Sequence, residues 1–265
     1  MALQVALAKV RDAPFILDAI RAADALTTAA GQDSGPHAVK VLTAAIDERD
    51  DQLIAIAAVH ALGAGFDDGA AAAVSDLLSD QRLYLREHAA WALGSRTPRL
   101  DAVGRLVSGV AHGGFATVIN QRALRRWAQI SPDHIALALE GALLSLEDPI
   151  GRARLVETMG LVPGAVATRT LRRVAIDERE PLPARLAAVA AFGDRGDDGS
   201  AGELVRRLAQ VDGELGAVAR LAAFDLSARD LSSRDLADHG AGPAVHLVQG
   251  PGRRESGLTV AQLFL

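Results

Sequence analysis

The side chains best suited to binding a metal or moving a proton are seven histidines, His37, His60, His88, His112, His134, His239 and His246. No two stand four residues apart on one helical face, and no His-Glu-x-x-His run occurs, so a ligand set is not encoded locally. His88 is expected to be a polar-face or packed helix residue. Cysteine is absent, which removes disulfides, thiolate zinc sites and cysteine nucleophiles. The glycines of Gly63-Ala64-Gly65-Phe66 and Ala111-His112-Gly113-Gly114-Phe115 lack both the Gly-x-x-x-x-Gly-Lys-Ser/Thr spacing and the preceding strand of a phosphate loop, and read as turns between helices. No Gly-x-Ser-x-Gly elbow occurs. Carboxylates such as Asp47, Glu48, Asp50 and Asp51, or Asp194, Asp197 and Asp198, gather in turns where solvent keeps them ionised. The expectation is therefore no catalytic residue, no cofactor, no metal and no enzyme.

Positive charge is more informative. Lysine occurs only at Lys9 and Lys40, so almost every cation is an arginine. The densest patch is Asn120-Gln121-Arg122-Ala123-Leu124-Arg125-Arg126-Trp127, where arginines and an indole offer anion pairing and stacking. Arg82, Arg86, Gln121, Arg122, Arg125, Arg126, Trp127 and Arg154 are the expected partner-binding residues. The competing reading assigns Arg86 and Arg154 to contacts between repeats and Trp127 to the core.

The elements that must position these residues are helices. Alanine and leucine dominate, aromatics are 3%, and β-branched runs are scarce until the last stretch of chain. Ala61-Leu62-Gly63 returns as Ala92-Leu93-Gly94 and, softened, as Thr158-Met159-Gly160 and Ala191-Phe192-Gly193. The spacing of about 31 to 34 residues, or roughly twice that, is the period of a solenoid. Segmenting at glycine and proline predicts seven helix pairs: 2–11 with 14–30, 36–47 with 51–63, 69–79 with 82–95, 98–111 with 115–129, 132–145 with 149–160, 164–177 with 182–193, and 200–210 with 214–228. Pro36, Pro98, Pro132, Pro163 and Pro183 fall where a first helical turn tolerates proline, and Gly63, Gly94, Gly160 and Gly193 fall where a left-handed C-cap is wanted. One pair cannot bury its apolar stripe alone, so stacking on neighbours must stabilise the array.

The run Asp80-Gln81-Arg82-Leu83-Tyr84-Leu85-Arg86-Glu87-His88-Ala89-Ala90-Trp91-Ala92-Leu93-Gly94 resembles the second helix of the HEAT repeat superfamily, in the short form found in phycobilisome lyases. The resemblance covers residues 36–228 and implies an α-solenoid whose second helices line a concave face; it specifies fold rather than function. It also implies a ladder between an aspartate and an arginine six residues on, a spacing shared by Asp80 with Arg86 and Asp148 with Arg154, and by Glu214 with Arg220. The repeats at 51–63 and 115–129 lack that pair. HEAT-like iron hydroxylases acting on a protein lysine use repeated His-Glu dipeptides as ligands; here only Glu87-His88 occurs, reversed and once.

Beyond Arg229-Asp230-Leu231-Ser232-Ser233, a polar break, residues 244–249 and 258–265 read as two strands. The second is apolar almost throughout, like a strand buried on both faces. The expected organisation is an all-α HEAT-like solenoid over 1–230, then a linker and a short β segment over 231–265, either a cap or the opening of an α/β domain. That tail weakly resembles HEAT-bearing bacterial glycosyltransferases, none of whose catalytic residues occurs here.

On the predicted second helices, nine arginines (82, 86, 122, 125, 126, 152, 154, 185, 220) face five acids (51, 87, 157, 214, 225), in a chain of net charge −5. The expected function is a non-catalytic scaffold gripping a protein or peptide on its concave face. The alternatives are an accessory module of a glycosyltransferase, a nucleic-acid binder and a bilin lyase. A pI near 5.8 argues against nucleic acid, whose phosphates need a broad basic surface. No window is long and apolar enough for a signal segment or membrane span, so a soluble cytoplasmic protein is expected.

Overall fold

Good helix formers interrupted at regular intervals by turn residues give a chain of short helices. A computed structural model describes residues 2–13, 16–32, 35–47, 51–64, 68–96, 98–114, 117–195 and 200–238. These hold fourteen α-helices and no strand: α1 Ala2–Arg11, α2 Ile16–Gln32, α3 Pro36–Asp47, α4 Gln52–Ala64, α5 Asp68–Asp76, α6 Leu83–Gly94 and α7 Leu100–His112, then α8 Thr117–Ala128, α9 Pro132–Ser145, α10 Pro149–Gly160, α11 Ala165–Ile176, α12 Leu182–Arg195, α13 Ser200–Leu208 and α14 Glu214–Asp238. A 3-10 turn, Leu77–Ser79, follows α5. The architecture is an all-α solenoid of helix pairs, as the repeat period predicts.

The described residues fall into two compact units, one of Met1–Gly109 with Gly114–Arg126, the other of Val110–Gly113 with Trp127 onward. In the first, α1 pairs with α2, α3 with α4 and α5 with α6, while the second helices stack in chain order, α2 on α4 and α4 on α6. In the second, α9–α10, α11–α12 and α13–α14 pair, and α10, α12 and α14 stack likewise. Each core is the filling of these seams. Helix α4 is buried from Ile54 through Leu62, apolar all round because neighbours cover every face. In the second unit Trp127, Leu139, Leu155, Met159, Leu171 and Phe192 are at most 1% exposed.

The repeating glycines do not act as predicted. Among the described residues positive φ occurs only at Gly113, Gly114, Gly164 and Gly213, so Gly63, Gly94, Gly160 and Gly193 are not left-handed caps. They lie within helices and give clearance. A Cβ on Gly63 would stand 2.6 Å from the Ala92 Cβ, on Gly94 2.9 Å from the Ala123 Cα, on Gly160 2.8 Å from the Ala191 Cβ, and on Gly193 3.0 Å from the Ala222 Cα. Each glycine is the place where one second helix touches the next. By contrast Gly113 and Gly114, at φ of 77° and 95°, do make the expected turn between α7 and α8.

The implied aspartate–arginine ladder is also replaced. Asp80 pairs with Arg82 at 3.0 Å rather than with Arg86, which acts on it only through its charge. Asp148 caps its own helix, accepting from the Gly151 amide at 2.6 Å, and Arg154 donates to the Ala111 carbonyl at 3.2 Å. Arg220 donates to the Ala209 carbonyl at 3.0 Å.

What links successive repeats is a set of arginines donating to helix C-terminal carbonyls one repeat back. Arg82 reaches the Ile46 carbonyl at 2.8 Å, Arg96 that of Leu62 at 3.1 Å, and Arg105 that of Ser75 at 2.7 Å. Arg195 reaches Met159 and Gly160, each at 3.3 Å, and also Val162. All but the Val162 carbonyl lie in the last turn of a helix, at the negative end of its dipole, where a guanidinium is a favourable donor.

The final helix runs to Asp238, through the stretch predicted as a polar break. The two predicted strands, and with them the glycosyltransferase resemblance, lie outside the described residues. No described helix is long and apolar enough to cross a membrane.

Candidate functional site

The Gly94–Ala123 contact brings α6 and α8 together in the first unit, and beside it their side chains frame a recess. Its floor and walls are Ala90, Trp91, Gly94, Ile119, Arg122, Ala123 and Arg126, and it is a shallow depression whose cavity volume is only about 30 Å³. The geometry follows from spacing: Ile119, Arg122, Ala123 and Arg126 lie three or four residues apart and share one face of α8, as Ala90, Trp91 and Gly94 do on α6. Small residues sit at the contact, and the long ones rise around it.

Every polar side chain in that set is a donor. Arg122 is exposed and Arg126 half-buried; Arg126 donates to the Ser95 hydroxyl at 3.3 Å. Arg125, one turn along, is exposed. Among the described residues no carboxylate pairs with any of the three. Several other arginines are paired with acids. Arg99 bridges Asp68 and Asp101, Arg105 pairs with Asp76, and Arg152 and Arg173 share Glu180.

Behind the recess lies a buried polar cluster that local sequence patterns do not reveal. The His60 Nε2 and His88 Nδ1 atoms are 2.8 Å apart, and the Trp91 ring meets that of His60 edge-on with centroids 4.6 Å apart. His60 is 3% exposed. Burial, and then the neighbouring His88, push its pKa down to about 3, and burial pushes His88 down to about 4. Both imidazoles are therefore neutral at physiological pH, and one proton serves their shared bond. The His60 Nδ1 and the Trp91 Nε1 are buried without a partner.

The predicted partner-binding residues divide. Arg122, Arg125 and Arg126 are together on α8, with Gln121 half-buried beside them. Trp127 is fully buried, a core residue and no surface anchor, since its helix turns it inward. Arg82 is held by Asp80 and the Ile46 carbonyl, an attachment that depresses the Asp80 carboxyl through hydrogen bonding. Arg86 is half-buried. Arg154 belongs to the second unit and lies over the Ala111–Gly113 turn. The residues missed are Trp91 and Ile119. The available signal was the repeat itself, because positions 91 and 122 stand one period apart on adjacent second helices. Among the described residues, no three histidine, aspartate or glutamate side chains converge as a metal site.

No family model matches the chain, and no curated protein matches it. Among solved structures, human deoxyhypusine hydroxylase in complex with glycerol is similar at 17% identity and a TM-score of 0.38, over 85% of this chain and 96% of that one. The complex of CpcE and CpcF of phycocyanin lyase from Nostoc sp. is similar at 18% identity and a TM-score of 0.40, over 88% and 89%. Likeness at this level concerns the helical fold alone. It does correct one expectation from the sequence, that of a non-enzyme: the structures similar to this chain include a hydroxylase and a lyase by name.

Proposed function

We propose that this helical-repeat protein is a scaffold that holds a partner protein or peptide on the second helices of its first unit, anchored at the α6–α8 recess. One observation carries the reading: Arg122, Arg125 and Arg126 stand on α8 without a carboxylate partner among the described residues, beside a recess walled by Trp91 and Ile119. Arginine and tryptophan are the residues that most often dominate binding energy in protein interfaces. The guanidinium groups supply directional donors, and the apolar wall supplies area removed from water.

The test is photo-cross-linking mass spectrometry on the tagged protein captured from its own cells, with a photoreactive residue placed at the exposed Leu83 of α6 or Val118 of α8. A reproducible partner should cross-link from both positions, and Arg125→Glu/Arg126→Glu should reduce its recovery about tenfold. Unchanged recovery would move the surface elsewhere. A partner that is RNA or DNA, released by moderate salt, would replace this reading with the nucleic-acid alternative.

A further inference from the structure

Resting on that scaffold reading, we propose that the α6–α8 recess is a carboxylate-binding subsite, and that the partner segment it takes is an acidic peptide with an apolar residue beside its acid. The first support is chemical. The recess presents two guanidinium groups and an indole edge, with no acceptor side chain among Ala90, Trp91, Gly94, Ile119, Arg122, Ala123 and Arg126. Arg126 spends one donor on the Ser95 hydroxyl and the Trp91 Nε1 is buried, so what the recess offers an occupant is the remaining guanidinium donors, which call for acceptors. Arg122 and Arg126, four residues apart on one helical face, fork toward the same opening, which suits the paired oxygens of a carboxylate.

The second support is charge bookkeeping within the molecule. This is an acidic chain of net charge −5 in which several arginines elsewhere are neutralised locally, while others, such as the well-separated Arg179 and Arg207, stand exposed without an acid among the described residues. Arg82, Arg99, Arg105, Arg152 and Arg173 have carboxylate partners, and Arg96 and Arg195 close helix ends. On α8 three guanidinium groups in two turns have no such acid among the described residues. Like charges so close repel, and an incoming acid relieves that repulsion.

The third support is shape. Gly94 and Ala123 keep the floor low, so the aliphatic stems of the arginines, the Trp91 ring and Ile119 form an apolar wall around a charged rim. Val118, 55% exposed, continues that apolar surface one turn earlier on α8. A bare inorganic anion would use the rim and leave the wall wet. An acidic side chain next to an apolar one uses both.

The probe is a short fluorescein-labelled peptide alternating glutamate and leucine, titrated by anisotropy against the full chain at low and at physiological salt. Its glutamine-for-glutamate counterpart, inorganic phosphate and an oligothymidylate serve as competitors. Expected are saturable binding of the glutamate peptide, weaker binding of the glutamine peptide, and a loss of about tenfold or more in Arg122→Gln/Arg126→Gln. Removing equal charge at two exposed sites of the second unit, Arg179→Gln/Arg207→Gln, should change affinity less than about twofold, as expected of screened distant charges. Both pairs are on the surface, and circular dichroism confirms that each variant folds. A second readout localises the site: the indole N–H resonance of Trp91, assigned with Trp91→Phe, should shift on titration while that of the buried Trp127 stays in place.

The proposal is overturned if the glutamate peptide does not bind, if both double variants weaken it equally, or if phosphate or oligothymidylate displaces it at lower concentration than an acidic peptide does. Should the peptide result fail while a cellular partner still cross-links to α6 and α8, the scaffold reading stands and the carboxylate subsite falls. If no partner is found on this surface at all, both fall together.

Discussion

His60 shows how burial turns an ordinary residue into a liability that depends on pH. An imidazole whose pKa is pushed down to about 3 binds its proton less readily folded than unfolded, where the value is about 6.5. The unfolded chain thus takes up more protons between those limits, so stability is complete above pH of about 6.5 and declines as pH falls through the window. For His60 alone the loss is on the order of 2 kcal/mol at pH 5. His88, pushed down to about 4, adds to it in the same direction. Thermal melts from pH 7.5 to 4.5 should fall steeply in the wild type, and His60→Leu/His88→Leu should flatten the slope; an unchanged slope would place the acid sensitivity elsewhere.

Arg195 is the other residue whose role is physical and specific. Its guanidinium donates to the carbonyls of Met159, Gly160 and Val162 and to the Thr168 hydroxyl at 3.1 Å. Arg195→Ala should cost about 2 kcal/mol, the scale of hydrogen bonds from a charged donor. Arg195→Lys should recover only part, because an ammonium cannot span several acceptors as a planar fork does. Urea denaturation measures both, and full rescue by lysine would show that charge alone suffices.

At the scale of elements, the decisive contact is one helix resting on the next through a glycine. A methyl group at Gly94 would meet the Ala123 backbone at 2.9 Å, which the helices relieve only by separating. Gly94→Ala is expected to destabilise by about 1–3 kcal/mol through overpacking and to distort the recess alongside. Gly104, in the interior of α7, has nothing within 4 Å of such a methyl. Gly104→Ala should therefore stabilise by about 0.5–1 kcal/mol, since alanine is the better helix former and restricts the unfolded chain. Chemical denaturation of the pair reads the opposite signs directly, and like signs would refute the clearance role.

At the scale of the whole molecule, second helices pack on the second helices next in order, in each of the two units, so stability is a sum of neighbour terms rather than the property of one core. Phe192 is 1% exposed on α12, which packs on α10 and α14. Phe192→Ala should cost about 3–5 kcal/mol locally. Hydrogen exchange should report lost protection in α10, α12 and α14 while amides of α4 keep theirs. Uniform loss along the chain would mean a single cooperative fold.

The sequence by itself determined that the chain is helical, where most helices begin and end, and that they repeat as hairpins, because backbone propensity, proline and glycine placement and apolar spacing are local properties. It also marked α8 as the densest positive segment. Other features depended on which residue meets which across a seam, and so only the tertiary structure decided them. Ala-Leu-Gly was legible as a repeat mark, but its glycine proved to be a point of helix contact, since a small residue looks the same whether it turns the chain or admits a neighbour. Trp127 and Trp91 are indistinguishable by type, and one faces the core while the other lines the recess. His60 and His88 stand 28 residues apart and meet only because α4 and α6 stack, just as Arg96 and Arg195 find carbonyls on helices one repeat behind them. Pairing across repeats is set by the register of stacked helices, and register is fixed by packing that no single segment contains.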